Sequence, residues 1–301
     1  MGGGTWTTSS FCSYSASRGR SVDSIGTVTT SYRSAQDMYT TRGLSDRMDP
    51  KQFEVRECRD TEEHPHTMPI ILALDVTGSM GPAAMEVAKK LNGIVTDIVK
   101  KSKDAEFCVM AIGDTYCDKA PVQMSQFESD IRIAKAFDDI WFEGGGGSNA
   151  WESYTAAWYM AAYRTSLDAW NRGGKGILIT LGDEPINPCL DTSELLSFVG
   201  SHNSSSVFAK GIDTKELYDV VSKKYDVYHI YVDHTGLNDS ASASRAIESF
   251  KEVLPEDHVF SCRVEGLPKV VSGIVLGSCT PVVQPAEASS VKVDENGMID
   301  W

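Results

Sequence analysis

The strongest constraint on this chain is a set of short apolar runs that are each followed within two residues by an aspartate. Ile70-Ile71-Leu72-Ala73-Leu74 is apolar at every position and stops at Asp75. A strand buried on both faces reads as such an unbroken run, whereas a strand with one wet face alternates apolar and polar residues. Residues 107–112, 176–181 and 228–232 repeat the pattern, with Asp114, Asp183 and Asp233 behind them. Between the runs the apolar period changes to that of a helix. Residues 83–101 place Ala84, Val87, Ala88, Leu91, Val95, Ile98 and Val99 at helical spacing. Further helices are expected over 131–141, 152–172, 193–199, 214–224, 241–253 and 268–276, with a short edge strand at 121–124 and a last strand at 258–264. This alternation predicts an α/β fold: a doubly wound, mostly parallel sheet with helices on both faces.

Length fits one such domain with extensions, since 301 residues exceed what the alternating region needs. The boundaries fall at 1–66 for an N-terminal arm, 67–280 for the domain and 281–301 for a C-terminal tail. The arm is rich in Ser, Thr, Gly and Tyr and holds few aliphatic residues, a composition that buries too little apolar area to offset its ordering entropy. It nevertheless carries Trp6, Phe11, Tyr14, Tyr32 and Tyr39. Two readings stay open: a flexible arm, or one that docks on the domain through those rings.

Charge narrows the function classes. Twenty-eight Lys and Arg against 42 Asp and Glu leave a formal charge of −14, which opposes nucleic-acid and anionic-membrane partners. The apolar runs are strand-sized, far short of the ~20 residues of a membrane span. The first residues, Met1-Gly2-Gly3-Gly4-Thr5-Trp6, match neither a secretory signal nor the myristoylation pattern. Seven cysteines, an odd count without CxxC spacing, read as reduced thiols, so the expected compartment is the cytoplasm.

Ligands in a doubly wound sheet bind outside the carboxyl ends of the strands, where the four aspartates would gather. Clustered carboxylates repel one another unless a cation or protons intervene. Helix capping is the competing explanation for Asp114 and Asp233. Asp75-Val76-Thr77-Gly78-Ser79 goes further, because alternate positions of an extended turn aim Asp75, Thr77 and Ser79 the same way. Three hard oxygen donors suit Mg²⁺ or Mn²⁺, whereas sulfur-seeking metals want Cys or His.

This turn resembles the first motif, DxTxS or DxSxS, of von Willebrand factor A (vWA) domains, in which it forms a metal-ion-dependent adhesion site. The resemblance covers roughly residues 68–262 and is similar to that of uncharacterised bacterial or phage vWA-like proteins. It implies a second element, a glycine-rich loop with a hydroxyl, for which Gly144-Gly145-Gly146-Gly147-Ser148-Asn149-Ala150-Trp151-Glu152 stands. Ser148 takes the hydroxyl position, with Asn149 or Glu152 as alternatives. The third element is an aspartate after the next strand. Thr180-Leu181-Gly182-Asp183 offers Asp183, shifted from the family's TDG pattern. The implied metal set is therefore Asp75, Thr77, Ser79, Ser148 and Asp183, with Mg²⁺ or Mn²⁺ as cofactor. Trp151 and Glu184 are the expected partner contacts, and the remaining aromatics of residues 154–170 are expected to be mainly core.

Rival motifs fail. Thr77 stands where a haloacid-dehalogenase phosphatase needs its second Asp, and the glycine run lacks the Gly-Lys-Ser/Thr of a P-loop. Gly146-Gly147-Ser148-Asn149-Ala150 ends in Ala and follows no strand, unlike a nucleophile elbow. Cys58, His64 and His66 lack a fourth zinc ligand. The expected function is a non-enzymatic, metal-dependent protein-binding module whose cation takes a partner carboxylate. The resemblance further implies a partner system built on a MoxR-type AAA+ ATPase. The alternative is a metal-dependent hydrolase using a metal-bound water with Glu152 or Glu184 as base.

Overall fold

In a computed structural model, residues 4–145, 151–200, 211–233 and 241–277 are described. Six strands form the central sheet: β1 (Met68–Asp75), β2 (Ala105–Ile112), β3 (Val122–Met124), β4 (Gly176–Gly182), β5 (Tyr225–Asp233) and β6 (Val259–Arg263). Their spatial order is β6-β5-β4-β1-β2-β3, parallel throughout except for the antiparallel edge strand β3. The expected doubly wound α/β class is the one observed.

The helices of the described residues are α1 (Thr8–Ser17), α2 (Gly81–Lys101), α3 (Arg132–Asp138), α4 (Tyr154–Tyr163), α5 (Thr192–Val199), α6 (Thr214–Val221), α7 (Ala241–Lys251) and α8 (Leu267–Val275), besides shorter turns. The period-two geometry of β1 divides its apolar run between the two faces of the sheet. Ile70, Leu72 and Leu74 pack with α2, α3 and α8, while Ile71 and Ala73 pack with α4, α5 and α6. Burial on both faces is why none of these positions is polar.

The expected helix over 152–172 is broken. α4 stops at Tyr163, and Thr165–Leu167 then pairs in parallel with Arg56–Cys58 before a one-turn helix at Asp168–Asn171. The cause is Arg164, which is buried at the C-cap of α4. Its guanidinium donates to the carbonyls of Pro50, Phe53, Glu54 and Val199, tying the end of the helix to two distant segments. Those partners are remote in sequence, so local periodicity carries no trace of the break.

Residues 4–48 pack against the α2 side of the sheet. Trp6, Phe11, Val28, Ala35, Met38, Tyr39 and Met48 are all buried in that core. The indole of Trp6 donates to Asn92 Oδ1 at 3.1 Å, and the Tyr39 hydroxyl donates to the carbonyl of Ala84 at 2.9 Å, both on α2. Asp138 accepts the Tyr14 hydroxyl at 2.6 Å and pairs with Arg20 at 2.5 Å. A few large rings and specific polar contacts thus supply what the aliphatic-poor composition withholds.

Candidate functional site

The carboxyl ends of β1, β2 and β4 lie side by side, each ending in or followed by an aspartate. Asp75 closes β1 and is fully buried. Its Oδ1 accepts the backbone amide of Thr77 at 2.8 Å and the Thr77 hydroxyl at 2.6 Å. Its Oδ2 accepts the Tyr154 hydroxyl at 2.8 Å. Thr77 is therefore drawn under Asp75 as the alternating turn requires, while Ser79 lies exposed at the mouth. Burial, reinforced by the nearby Asp183 carboxylate, raises the Asp75 carboxyl to about 7.

Glu152 comes from the segment ahead of α4 and is 5% exposed, with its Oε2 lacking a hydrogen-bond partner among the described residues. Burial and the charges of Asp75, Asp114, Asp118 and Glu184 push it up to about 10. Asp183 stands directly behind β4 and is buried too. Asp75 thus feels the charges of both Asp183 and Glu152, and Thr77 donates to it. Ser148 and Asn149 lie outside the described residues.

Asp114 is not a helix cap. Its Oδ1 accepts the amide of Tyr116 in a turn, and its buried Oδ2 has no partner among the described residues. Asp233 ends β5, two strands from β1, where Arg263 Nε is 4.0 Å away.

The glycine loop reaches this cluster through its backbone. Gly78 donates its amide to the carbonyl of Gly145 at 2.8 Å, so Gly145 lies against the Asp75-Thr77-Ser79 turn. Glu143 anchors the approach by accepting the amide of Ala120 at 2.7 Å. Gly144 has φ +66°, and a Cβ there would overlap the Gln36 side chain. The positive φ is what favours glycine here, since the Gln36 side chain can move aside.

Two participants are invisible in the motif. Asp118 accepts the amide of Asp114 at 2.8 Å and packs against Gly113 and Gly145, where any Cβ would collide with its carboxylate. Tyr154 has the spacing of a core residue and is indeed buried, yet its hydroxyl is the hydrogen-bond donor to Asp75. Its ring is held edge-on by His229 and Phe250, which stack on each other at 3.4 Å. His229 in turn bonds Thr180 Oγ1 through Nδ1 at 3.0 Å, and burial keeps this imidazole neutral.

Trp151 is 41% exposed beside Glu152, and Glu184 is half-buried. No helix of the described residues is long and apolar enough to cross a membrane.

The fold and rim together define a doubly wound α/β domain with an acidic, hydroxyl-bearing edge at the carboxyl ends of its strands. Solved structures similar to it include the pilus adhesin SpaC from Lactobacillus rhamnosus GG, at 12% identity and a TM-score of 0.47 over 72% of this chain and 31% of that one. The vWF domain of the type V pili tip protein Mfa5 from Porphyromonas gingivalis matches at 11% identity and a TM-score of 0.47, covering 70% of this chain and 94% of that domain. The SpRpn10 VWA domain matches at 13% identity and a TM-score of 0.40, covering 70% and 95%. This chain spans about 31% of the length of SpaC and 50% of proximal thread matrix protein 1 from the mussel byssus. These likenesses carry nothing about what this chain binds. No protein-family model matches the chain, and no curated protein matches it.

Proposed function

We propose that this chain is a divalent-cation-dependent protein-binding module whose cation takes a carboxylate of the partner. The observation that carries the reading is the Gly78–Gly145 hydrogen bond, which ties Gly145, at the start of the glycine run, to the turn that holds Asp75, Thr77 and Ser79. The donor set fits Mg²⁺ or Mn²⁺, being made of carboxylate and hydroxyl oxygens. Asp114 Oδ2 and Glu152 Oε2 are buried oxygens without a partner among the described residues, an arrangement that a cation relieves.

Thr77, Ser79 and Ser148 would hold the ion through neutral hydroxyls, with Asp75 and Asp183 fixing them or the intervening waters. Tyr154 and Thr77 hold the Asp75 carboxylate in one orientation. Neutral ligands leave the cation with net positive charge, and that charge is what a partner Asp or Glu would meet. The test is isothermal titration with Mn²⁺ against wild type and Asp75→Ala, followed by affinity selection in Mg²⁺ or EDTA. A partner held equally with and without the cation would overturn the reading.

A further inference from the structure

Beside the carboxylate rim lies a cavity of about 370 Å³ with an apolar wall of Trp151, Pro185, Ile186 and Val253. Its size is that of a site for one bulky side chain or a small ligand. The cavity and the rim are built from the same two segments. Glu152 donates its amide to the carbonyl of Pro185 at 3.2 Å, and Glu152 pairs with Ile186 as an isolated parallel bridge. Ile186 then donates its amide to Ser249 Oγ on α7 at 3.1 Å, which fixes the loop against that helix. The two segments that bring Glu152 and Asp183 to the rim therefore bring Trp151, Pro185 and Ile186 to the cavity.

The cavity edge carries two cations. Lys215 of α6 and Arg245 of α7 line it, and neither is in an ion pair among the described residues. Of the two carboxylates that also line it, Asp213 is engaged in capping α6, accepting the amide of Lys215 at 2.9 Å, and Glu252 is exposed. On a chain of net charge −14, two cations against two carboxylates make this edge close to charge balance, so an anion meets less repulsion here than the net charge implies.

We infer that the cavity receives the bulky apolar side chain of an acidic partner segment, one carboxylate of which meets the cation at the rim while a second meets Arg245 and Lys215. This rests on the metal-dependent reading above and adds to it the partner's chemistry. An extended peptide advances ~3.3 Å per residue, so a few residues suffice to reach from the rim into the adjoining cavity. Trp151 then acts as an amphipathic anchor of the kind that dominates interface energetics.

The test separates the two parts. The full chain is labelled with 5-fluorotryptophan, and the Trp151 fluorine signal is assigned by its loss in Trp151→Phe. In EDTA, N-acetyl-L-phenylalanine should shift that signal saturably, and N-acetyl-L-phenylalanine amide and the Arg245→Glu variant should each bind about tenfold more weakly. The acetylated, amidated pentapeptide Asp-Gly-Gly-Phe-Glu should then bind more tightly in Mg²⁺ than in EDTA, and Asp75→Ala should remove only that increment. No saturable shift of Trp151, or a shift unchanged in Arg245→Glu, overturns the cavity assignment even where Mg²⁺-dependent binding persists. A Trp151 response without any Mg²⁺ increment leaves the cavity standing and sinks the metal reading instead.

Discussion

Tyr154 places its hydroxyl 2.8 Å from Oδ2 of Asp75, and it does so through the space that a side chain on Gly182 would fill. One helix, the end of β1 and the end of β4 are thus locked by a single phenol. Hydrogen bonds to charged groups are worth about 1.5–3 kcal/mol, so the phenol is a principal restraint on the Asp75 carboxylate. Gly182→Ala should destabilise the fold by about 1–3 kcal/mol, because its methyl displaces the ring from a packed site. Tyr154→Phe should keep the fold and weaken cation binding. Urea midpoints and Mn²⁺ titration check the pair: a Gly182→Ala midpoint equal to wild type would contradict the contact.

The acidic cluster makes metal-free stability depend on pH in a stated direction. Asp75 is raised from 3.8 to about 7, and Glu152 from 4.5 to about 10. Glu106, buried with its Oε1 lacking a partner among the described residues, is likewise raised from 4.5 to about 7. The folded chain therefore binds more protons than the unfolded chain across this range. Their stabilising contribution is complete below the unfolded values near pH 4. It is lost as pH rises through 7 and, for Glu152, on towards 10, at up to about 1.4 kcal/mol per pH unit for each proton. In EDTA the urea midpoint should fall between pH 5.5 and 8.5, and Glu152→Gln should flatten the upper part of that profile. A pH-independent midpoint would count against the cluster.

The same electrostatics distinguish two substitutions of one residue. Asp75→Asn removes a buried charge but retains most of the polar shape, so its stability in EDTA at pH 8 should equal or exceed that of wild type. Its Mn²⁺ affinity should nevertheless drop at least about tenfold, as should that of Ser79→Ala, which deletes an exposed oxygen donor and leaves the core untouched. Calorimetric titration alongside thermal melts reads both quantities. Wild-type affinity in Asp75→Asn would remove this residue from the metal set.

How much of this was legible in the sequence depends on whether the deciding contact is local. Unbroken apolar runs identified β1, β2, β4 and β5, and topology alone put Asp75, Asp114 and Asp183 on one rim. The break after α4 was not legible, because Arg164 is held by carbonyls more than thirty residues away. Neither was Asp118, whose role comes from packing against Gly113 and Gly145 rather than from a spacing rule. Tyr154 shows the limit most clearly: helical periodicity says that a ring is buried and says nothing about where its hydroxyl ends.

The N-terminal segment gives the last prediction, since composition and structure pull in opposite directions there. Its Ser, Thr and Gly content favours a solvated chain, yet Trp6 is 4% exposed, Phe11 2% and Tyr39 2%, all inside the α2-side core. Removing a buried Trp ring typically costs 3–5 kcal/mol, roughly a third or more of a domain's stability. Trp6→Ala should therefore lower the urea midpoint of the whole chain, in one transition, rather than merely loosen a tail. In wild type, trypsin should cut slowly at Arg20, whose guanidinium is held by Asp138. It should cut faster at Arg33, which is exposed. Asp138→Asn should speed cleavage at Arg20 by weakening the contacts from Tyr14 and Arg20 together. If instead residues 1–66 were removed rapidly from native protein and the remainder kept the wild-type midpoint, the rings would be contributing nothing, and the docked arrangement would be refuted.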